Sequence, residues 1–224
     1  MLELTLVQKI AVWILPVLFA LTLHEFAHGW VAHKLGDPTA KLLGRVSLNP
    51  FKHVDPLGTI VLPMLLLSLG GLILGWAKPT PITWQNLRHP RRGMALVALA
   101  GPLANLIMAG IWLGIGKLGA LVISQFNNSI GYLLFFMGQA GIAINCVILV
   151  LNLLPLPGLD GSKIITSLLP AKVGNFYNRL EPYAFFILLA LILLPPYPPG
   201  LLGALLSPII NSLISILIWP LNLA

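Results

Sequence analysis

Lys, Arg, Asp and Glu are missing from several long stretches of the chain, and these stretches set its expected architecture. A helix needs about 20 apolar residues to cross the hydrocarbon core of a bilayer. The first stretch runs from Ile10 to Leu23 and continues into HEFAHGWVAH, which puts three histidines and a glutamate at membrane depth. A second spans Leu57 to Trp76 and ends in an interfacial tryptophan. A third runs from Gly93 to Gly116, and a fourth from Gly131 to Pro155, closed by NLLPLPGLDG. Tyr183 to Leu194 is shorter and is stopped by Pro195, Pro196, Pro198 and Pro199, and a last run covers Leu201 to Leu221. The pattern predicts an all-α membrane protein, a bundle of five or six transmembrane helices forming one polytopic domain over residues 1–224, with C-terminal helices across 183–221. Two polar connectors, Lys34 to Pro56 and Ala77 to Arg92, separate the first three spans. Their prolines, and β-compatible pieces such as GRVSL, predict short strand-like or re-entrant segments rather than long helices.

Composition sharpens this picture. Of 224 residues 58% are hydrophobic and 8% charged, against roughly 25% charged in an ordinary soluble domain, so the outer surface is expected to face lipid. Lys9 followed by an apolar run has the outline of a signal peptide, but no small-x-small cleavage pattern follows, and the segment is read as a retained span. The single cysteine, Cys146, excludes an internal disulfide and a cysteine-based zinc ribbon or iron–sulfur site. A net charge of +7 invites a nucleic-acid reading, but the basic residues are dispersed between apolar segments, so no nucleic-acid partner is expected. The expected location is a multi-pass protein of the cell (cytoplasmic) membrane.

The acids carry the functional argument. There are six, Glu3, Glu25, Asp37, Asp55, Asp160 and Glu181, and only Glu25 and Asp160 fall within or at the end of an apolar helix. An ionisable group at bilayer depth costs about 2.5–3.5 kcal/mol even on the gentlest scale, so each marks a candidate functional site. Glu25 belongs to His24-Glu25-Phe26-Ala27-His28, an HExxH pattern. On a helix the two histidines, one turn apart, share a face and can converge on one ion. Glu25 projects beside the open coordination position, where it can take a proton from an activated water and pass it to a leaving amine. The bland alternative is interhelical hydrogen bonding, a task usually left to uncharged Ser, Thr or Asn. His33 falls out of step with the pair, beside Lys34, at the expected interface.

A catalytic zinc site needs a third protein ligand. Asp160 follows a proline-broken helix end, where Gly161 permits a tight turn, and zinc with two neutral imidazoles, one carboxylate and one hydroxide is about neutral. His53 and Asp55, in FKHVDPLGT, compete for the same role, although their connector position favours hydrogen bonding in a structured loop. Asn105 and Asn152 expose amides that hydrocarbon cannot satisfy, so each either meets substrate, as an oxyanion donor does, or joins two helices.

HEFAH in the first helix, GPLAN in the third and NLLPLPGLDG after the fourth resemble, in order and context, the signatures of the site-2 protease family of intramembrane zinc metalloproteases. The resemblance covers residues 21–161. It implies His24, His28 and Asp160 as ligands of one Zn²⁺ per chain, Glu25 as the catalytic acid/base, and Asn105 and Asn152 as residues that position substrate or zinc-bound species. NPFKHVDPLGT and GWAKPTPIT look like segments of the compact branch that lacks a PDZ domain, since only the sixteen residues of Ala77 to Arg92 separate the second and third spans. The resemblance thus implies a membrane-protein substrate with a transmembrane segment and a regulator acting in trans. It also sets the catalytic end of the first helix towards the cytoplasm, an orientation on which the equal basic content of the two connectors is silent. A membrane zinc transporter and a metal-binding scaffold without proteolytic activity are the competing readings. The former expects paired related halves, and no internal repeat is present.

Overall fold

The computed structural model describes residues 5–61, 77–193 and 200–219. Among these the chain is helical, with no strand. Helix α1, Leu6–Lys34, starts at a capping box in which Thr5 accepts the Gln8 N–H at 3.4 Å and the Gln8 side chain accepts the Thr5 N–H at 2.8 Å. His33 and Lys34 lie in its last turn, where the negative end of the helix dipole favours them. A four-residue helix α2, Thr39–Leu42, follows, and the rest of the first connector consists of a 3-10 turn, Pro50–Lys52, and a π turn, Pro56–Val61.

Helix α3, Pro90–Phe126, opens with proline at its first position, where the missing N–H is of no consequence. It ends at Asn127, whose left-handed φ of 43° closes the helix, and Asn128 then caps α4, Ser129–Asn152, by accepting the Gly131 N–H at 2.9 Å. The two form an antiparallel hairpin packed backbone against backbone. A Cβ at Gly138 would lie 2.4 Å from the Gly116 Cα, and one at Gly141 would enter the Trp112 ring at 2.1 Å. Small residues at such contacts are how apolar helices approach closely in lipid, where water supplies no drive to associate. Val12 of α1 joins Met108, Trp112, Met137, Ile142 and Cys146 in the core, while Ile10, Ile14, Leu103, Ile107 and Leu118 remain on the outside, as lipid contact requires.

Helices α1, α3 and α4 are long and apolar enough to cross a membrane. The expected span from Leu57 to Trp76 lies outside the described residues beyond Val61, as do the four prolines from Pro195 to Pro199. The C-terminal part forms α5, Asp160–Leu168, α6, Ala171–Asn178, α7, Ala184–Leu193, and α8, Gly200–Ile218. Helix α5 packs on α3, and α8 on α4 and α7.

The GRVSL piece forms no strand because its groups are used locally. Gly44 takes a positive φ of 65°, and the Arg45 N–H returns to the Ala40 carbonyl at 2.8 Å. The Arg45 guanidinium donates to the carbonyls of Lys52, Lys78 and Pro79, tying the first connector to the second. Asp37, fully buried, fastens the other end of the second connector. It accepts the Thr83 N–H at 2.7 Å, the Asn86 amide at 3.0 Å and both the N–H and hydroxyl of Thr39. Burial alone raises a carboxyl's pKa, but these donors, led by the Thr39 hydroxyl, outweigh it and hold Asp37 below its ordinary value.

Candidate metal centre

Helix α1 delivers His24 and His28 to one face, one turn apart, with their rings edge to face. Helix α3 runs across them at Gly101, where a Cβ would sit 2.4 Å from His28 Nε2 and 2.6 Å from His24 Cε1. Only glycine leaves space there for both imidazoles. Asp160 comes from beyond the α3–α4 hairpin. After Pro155 and Pro157, Gly158 takes a positive φ of 85°, and Asp160 begins α5. A Cβ on Gly161 would lie 2.2 Å from the Leu154 carbonyl, so this reversal also needs a glycine.

Three atoms meet. His24 Nε2 and His28 Nε2 are 3.0 Å apart, and Asp160 Oδ2 lies 3.2 Å from the first and 3.3 Å from the second. Among the described residues this is the cluster of histidines and acids close enough to share an ion. Both histidines are 6% exposed and the Asp160 side chain 17%, so the carboxylate is held largely away from water.

Their surroundings determine where the ring protons sit. The His28 Nδ1 lies 2.7 Å from the Val97 carbonyl, which can only accept, so Nδ1 carries the hydrogen. The Asn105 Nδ2 donates to the Ala20 carbonyl at 3.2 Å and to Asn145 Oδ1 at 2.9 Å, and the Asn145 Nδ2 donates to the Gly141 carbonyl at 2.8 Å. That chain of acceptors fixes the Asn105 amide with Oδ1 facing His24 Nδ1, 2.7 Å away, so this nitrogen too is the donor. In their neutral form the two rings would aim Nε2 lone pairs at each other and at a carboxylate oxygen that is buried without a hydrogen-bond donor. Three converging acceptors repel one another unless a cation lies between them. A proton bridges one pair only. A tetrahedral zinc with bonds of about 2.0–2.1 Å has donor atoms separated by about 3.3–3.4 Å, close to the triangle described here. The donor set of two imidazoles and one carboxylate also suits zinc, and the acceptors behind each Nδ1 are the outer partners that zinc-binding histidines ordinarily have.

Glu25, beside His24 in sequence, faces the second connector. Its Oε2 accepts the Thr80 N–H at 2.7 Å, and its backbone carbonyl accepts the Thr80 hydroxyl at 2.9 Å. His53 is directed elsewhere, its Nε2 bonding the Ser47 carbonyl at 2.8 Å, and Asp55 Oδ1 accepts the N–H groups of Leu57 and Gly58. The His33 Nε2 meets Lys41 Nζ at 3.2 Å, at the end of α1. The Asn152 Nδ2 donates within its own helix, to the Ile148 carbonyl at 3.0 Å. Two participants went unnoticed in the sequence. Asn145 sits in an apolar run like Asn105 and was open to the same reasoning, whereas the approach of Thr80 to Glu25 had no local signal beyond its flanking prolines.

Comparison with known proteins agrees with the chemistry. Over 186 residues the chain is 39% identical to a Bacillus subtilis protein named "Putative zinc metalloprotease YwhC", covering 81% of this chain and 80% of that protein. It is 34% identical over 190 residues to "Putative zinc metalloprotease Rip2" of Mycobacterium tuberculosis, covering 84% of the chain and 68% of that protein. The Rip2 of Mycolicibacterium smegmatis is 33% identical over 180 residues, 65% of its own length. No family model and no solved structure matches the chain. With the HEFAH, GPLAN and LDG segments gathered around three atoms close enough to share one metal ion, and with these relatives aligned along most of its length, the chain belongs to the site-2 protease family of zinc metalloproteases.

Proposed function

We propose that the chain is an intramembrane protease that hydrolyses peptide bonds in or beside the transmembrane segments of other membrane proteins, in the cell membrane. The observation that supports this most directly is the buried triangle of His24, His28 and Asp160 acceptors beside an acidic residue on a membrane-length helix. In this reading the three side chains hold one zinc ion per chain, which when bound supplies Lewis acidity to a water and to the scissile carbonyl.

The chain's own residues do the rest. Glu25 takes a proton from the attacking water and later delivers it to the leaving amine, the task its HExxH position suits. Asn105 orients His24 by accepting the Nδ1 hydrogen, and Val97 does the same for His28, so that both Nε2 atoms face inward. Asn152, on the last turn of α4 before the broken segment, positions substrate backbone. A helical substrate hides its carbonyls in intrahelical bonds, so the scissile stretch must unwind before it reaches these groups.

The test is reconstitution of the purified protein in vesicles with a single-span substrate. Wild type cleaves, and Glu25→Gln does not while keeping its zinc. Cleavage by Glu25→Gln overturns the assignment, and zinc uptake into the vesicles without cleavage favours transport.

A further inference from the structure

Within Pro79-Thr80-Pro81 one residue has a backbone N–H to give, and it gives it to Glu25. We propose that Thr80 is a positioning residue for the reaction, holding the Glu25 carboxylate in place from a rigid strap formed by the second connector. The inference rests on the role proposed for Glu25.

Several independent features build the strap. Each proline fixes its own φ and confines the residue before it to extended backbone, so Lys78 to Pro81 has little freedom to lose when it docks. Thr80 bonds α1 at two points one residue wide, N–H to the Glu25 carboxylate at 2.7 Å and hydroxyl to the Glu25 carbonyl at 2.9 Å. Gly29 lies one turn along α1 from Glu25, and a Cβ there would come within 3.1 Å of Thr80 Cγ2. The missing side chain is the socket that lets the strap lie close. On one side the strap is pinned by Arg45, which donates to the Lys78 and Pro79 carbonyls, and by the Lys78 N–H, which donates to the His53 carbonyl at 2.9 Å. On the other side Asp37 grips the Thr83 N–H and the Asn86 amide. His53, Asp37 and Arg45, all outside the metal triad, thereby acquire a common purpose.

The chemical benefit is orientational. A glutamate on a helix has three rotatable bonds, and anchoring Oε2 to a rigid donor fixes the carboxylate plane, presenting the other oxygen for proton transfer. A charge-assisted bond from a backbone N–H is among the stronger anchors available and adds no mobile side chain. Misplacement of a reacting group by about 1 Å costs about 100-fold in rate.

The experiment is a Thr80 series in the full-length protein reconstituted with substrate, read alongside amide exchange. Thr80→Pro removes both bonds and lowers kcat by about 100-fold, with KM within about twofold and zinc content unchanged. Thr80→Val keeps the N–H and loses less than about tenfold, and Thr80→Ser, which keeps both donors, restores kcat to within about twofold of wild type. Independently of turnover, Glu25→Ala speeds hydrogen exchange at the Thr80 amide by at least about tenfold while leaving the Lys78 amide, bound to His53, as it was. Wild-type kcat in zinc-loaded Thr80→Pro overturns the proposal. So does Thr80 amide exchange indifferent to Glu25→Ala, a measurement that decides the matter even if Thr80→Pro fails to fold. An inactive Glu25→Gln with a fully active Thr80→Pro sinks this inference alone, whereas an active Glu25→Gln sinks the proteolytic assignment beneath it.

Discussion

The His24 imidazole and the Asn105 amide meet at 2.7 Å, Nδ1 to Oδ1, and because the Asn105 Nδ2 is committed to Ala20 and Asn145, helix α3 dictates which nitrogen of a ring on α1 is left bare. Replacing Asn105 by Leu removes the acceptor and frees the ring to rotate or change tautomer. Zinc affinity should fall by about 10–100-fold, the ordinary effect of losing an outer partner of a zinc histidine. Competition with a chromogenic chelator measures it, and unchanged affinity would remove Asn105 from the metal site.

Gly101 makes a sharper prediction. A methyl group at this position would stand 2.4 Å from His28 Nε2, where the ion is expected. Gly101→Ala should therefore lose most of its zinc while keeping wild-type helical content by circular dichroism. Full zinc occupancy in this variant would contradict the packing described.

Asp160→Asn keeps the shape of the third ligand and removes its charge. The purified variant should bind less than about one-tenth of the wild-type zinc at equal free metal, as expected when a hard anionic ligand is lost. If its zinc content matched wild type, His53 or Asp55 would become the third ligand to pursue.

The Asp37 knot predicts a pH dependence of stability away from the metal. Because its donors hold the folded-state pKa below the ordinary 3.8, the carboxylate stabilises the fold at neutral pH, and that contribution disappears as pH falls through the lowered folded value. Asp37→Asn should lower the melting temperature at pH 7 and flatten the acid dependence below about pH 4. Parallel acid profiles for the two proteins, in the same detergent, would show the knot to be inert.

The α3–α4 contact is tight enough to be tested by overpacking. Gly138→Leu forces a side chain into the Gly116 backbone and should destabilise the hairpin by about 1–3 kcal/mol or more, read as a lower midpoint of thermal unfolding. A surface control such as Ile107→Leu should leave the midpoint where it was.

The legible parts of this molecule were the local ones. The one-turn spacing of His24 and His28 needs only helical geometry, and the prolines before Asp160 announced a break that brings a carboxylate round. The third apolar stretch stops at Gly116 because Lys117 follows. The helix in fact continues to Phe126, since Lys117 lies on its exposed side, where a long side chain can carry its charge outward. GRVSL turns rather than running as strand because Gly44 takes a positive φ and the Arg45 N–H returns to the Ala40 carbonyl, and its long-range role lies in the Arg45 guanidinium, which meets the carbonyls of Lys52, Lys78 and Pro79. Periodicity carries no information on such partners. Thr80 was invisible for the same cause, because nothing in Pro-Thr-Pro names the helix it will touch.

The two histidines and the carboxylate belong to segments separated by the whole α3–α4 hairpin. During synthesis α1 therefore enters the bilayer with a bare glutamate and two unpartnered rings, long before residue 160 has left the ribosome. An ion gripped by all three can be captured only after Asp160 has emerged. Whatever the triad does, it can begin only once the α3–α4 hairpin between its two halves has been made.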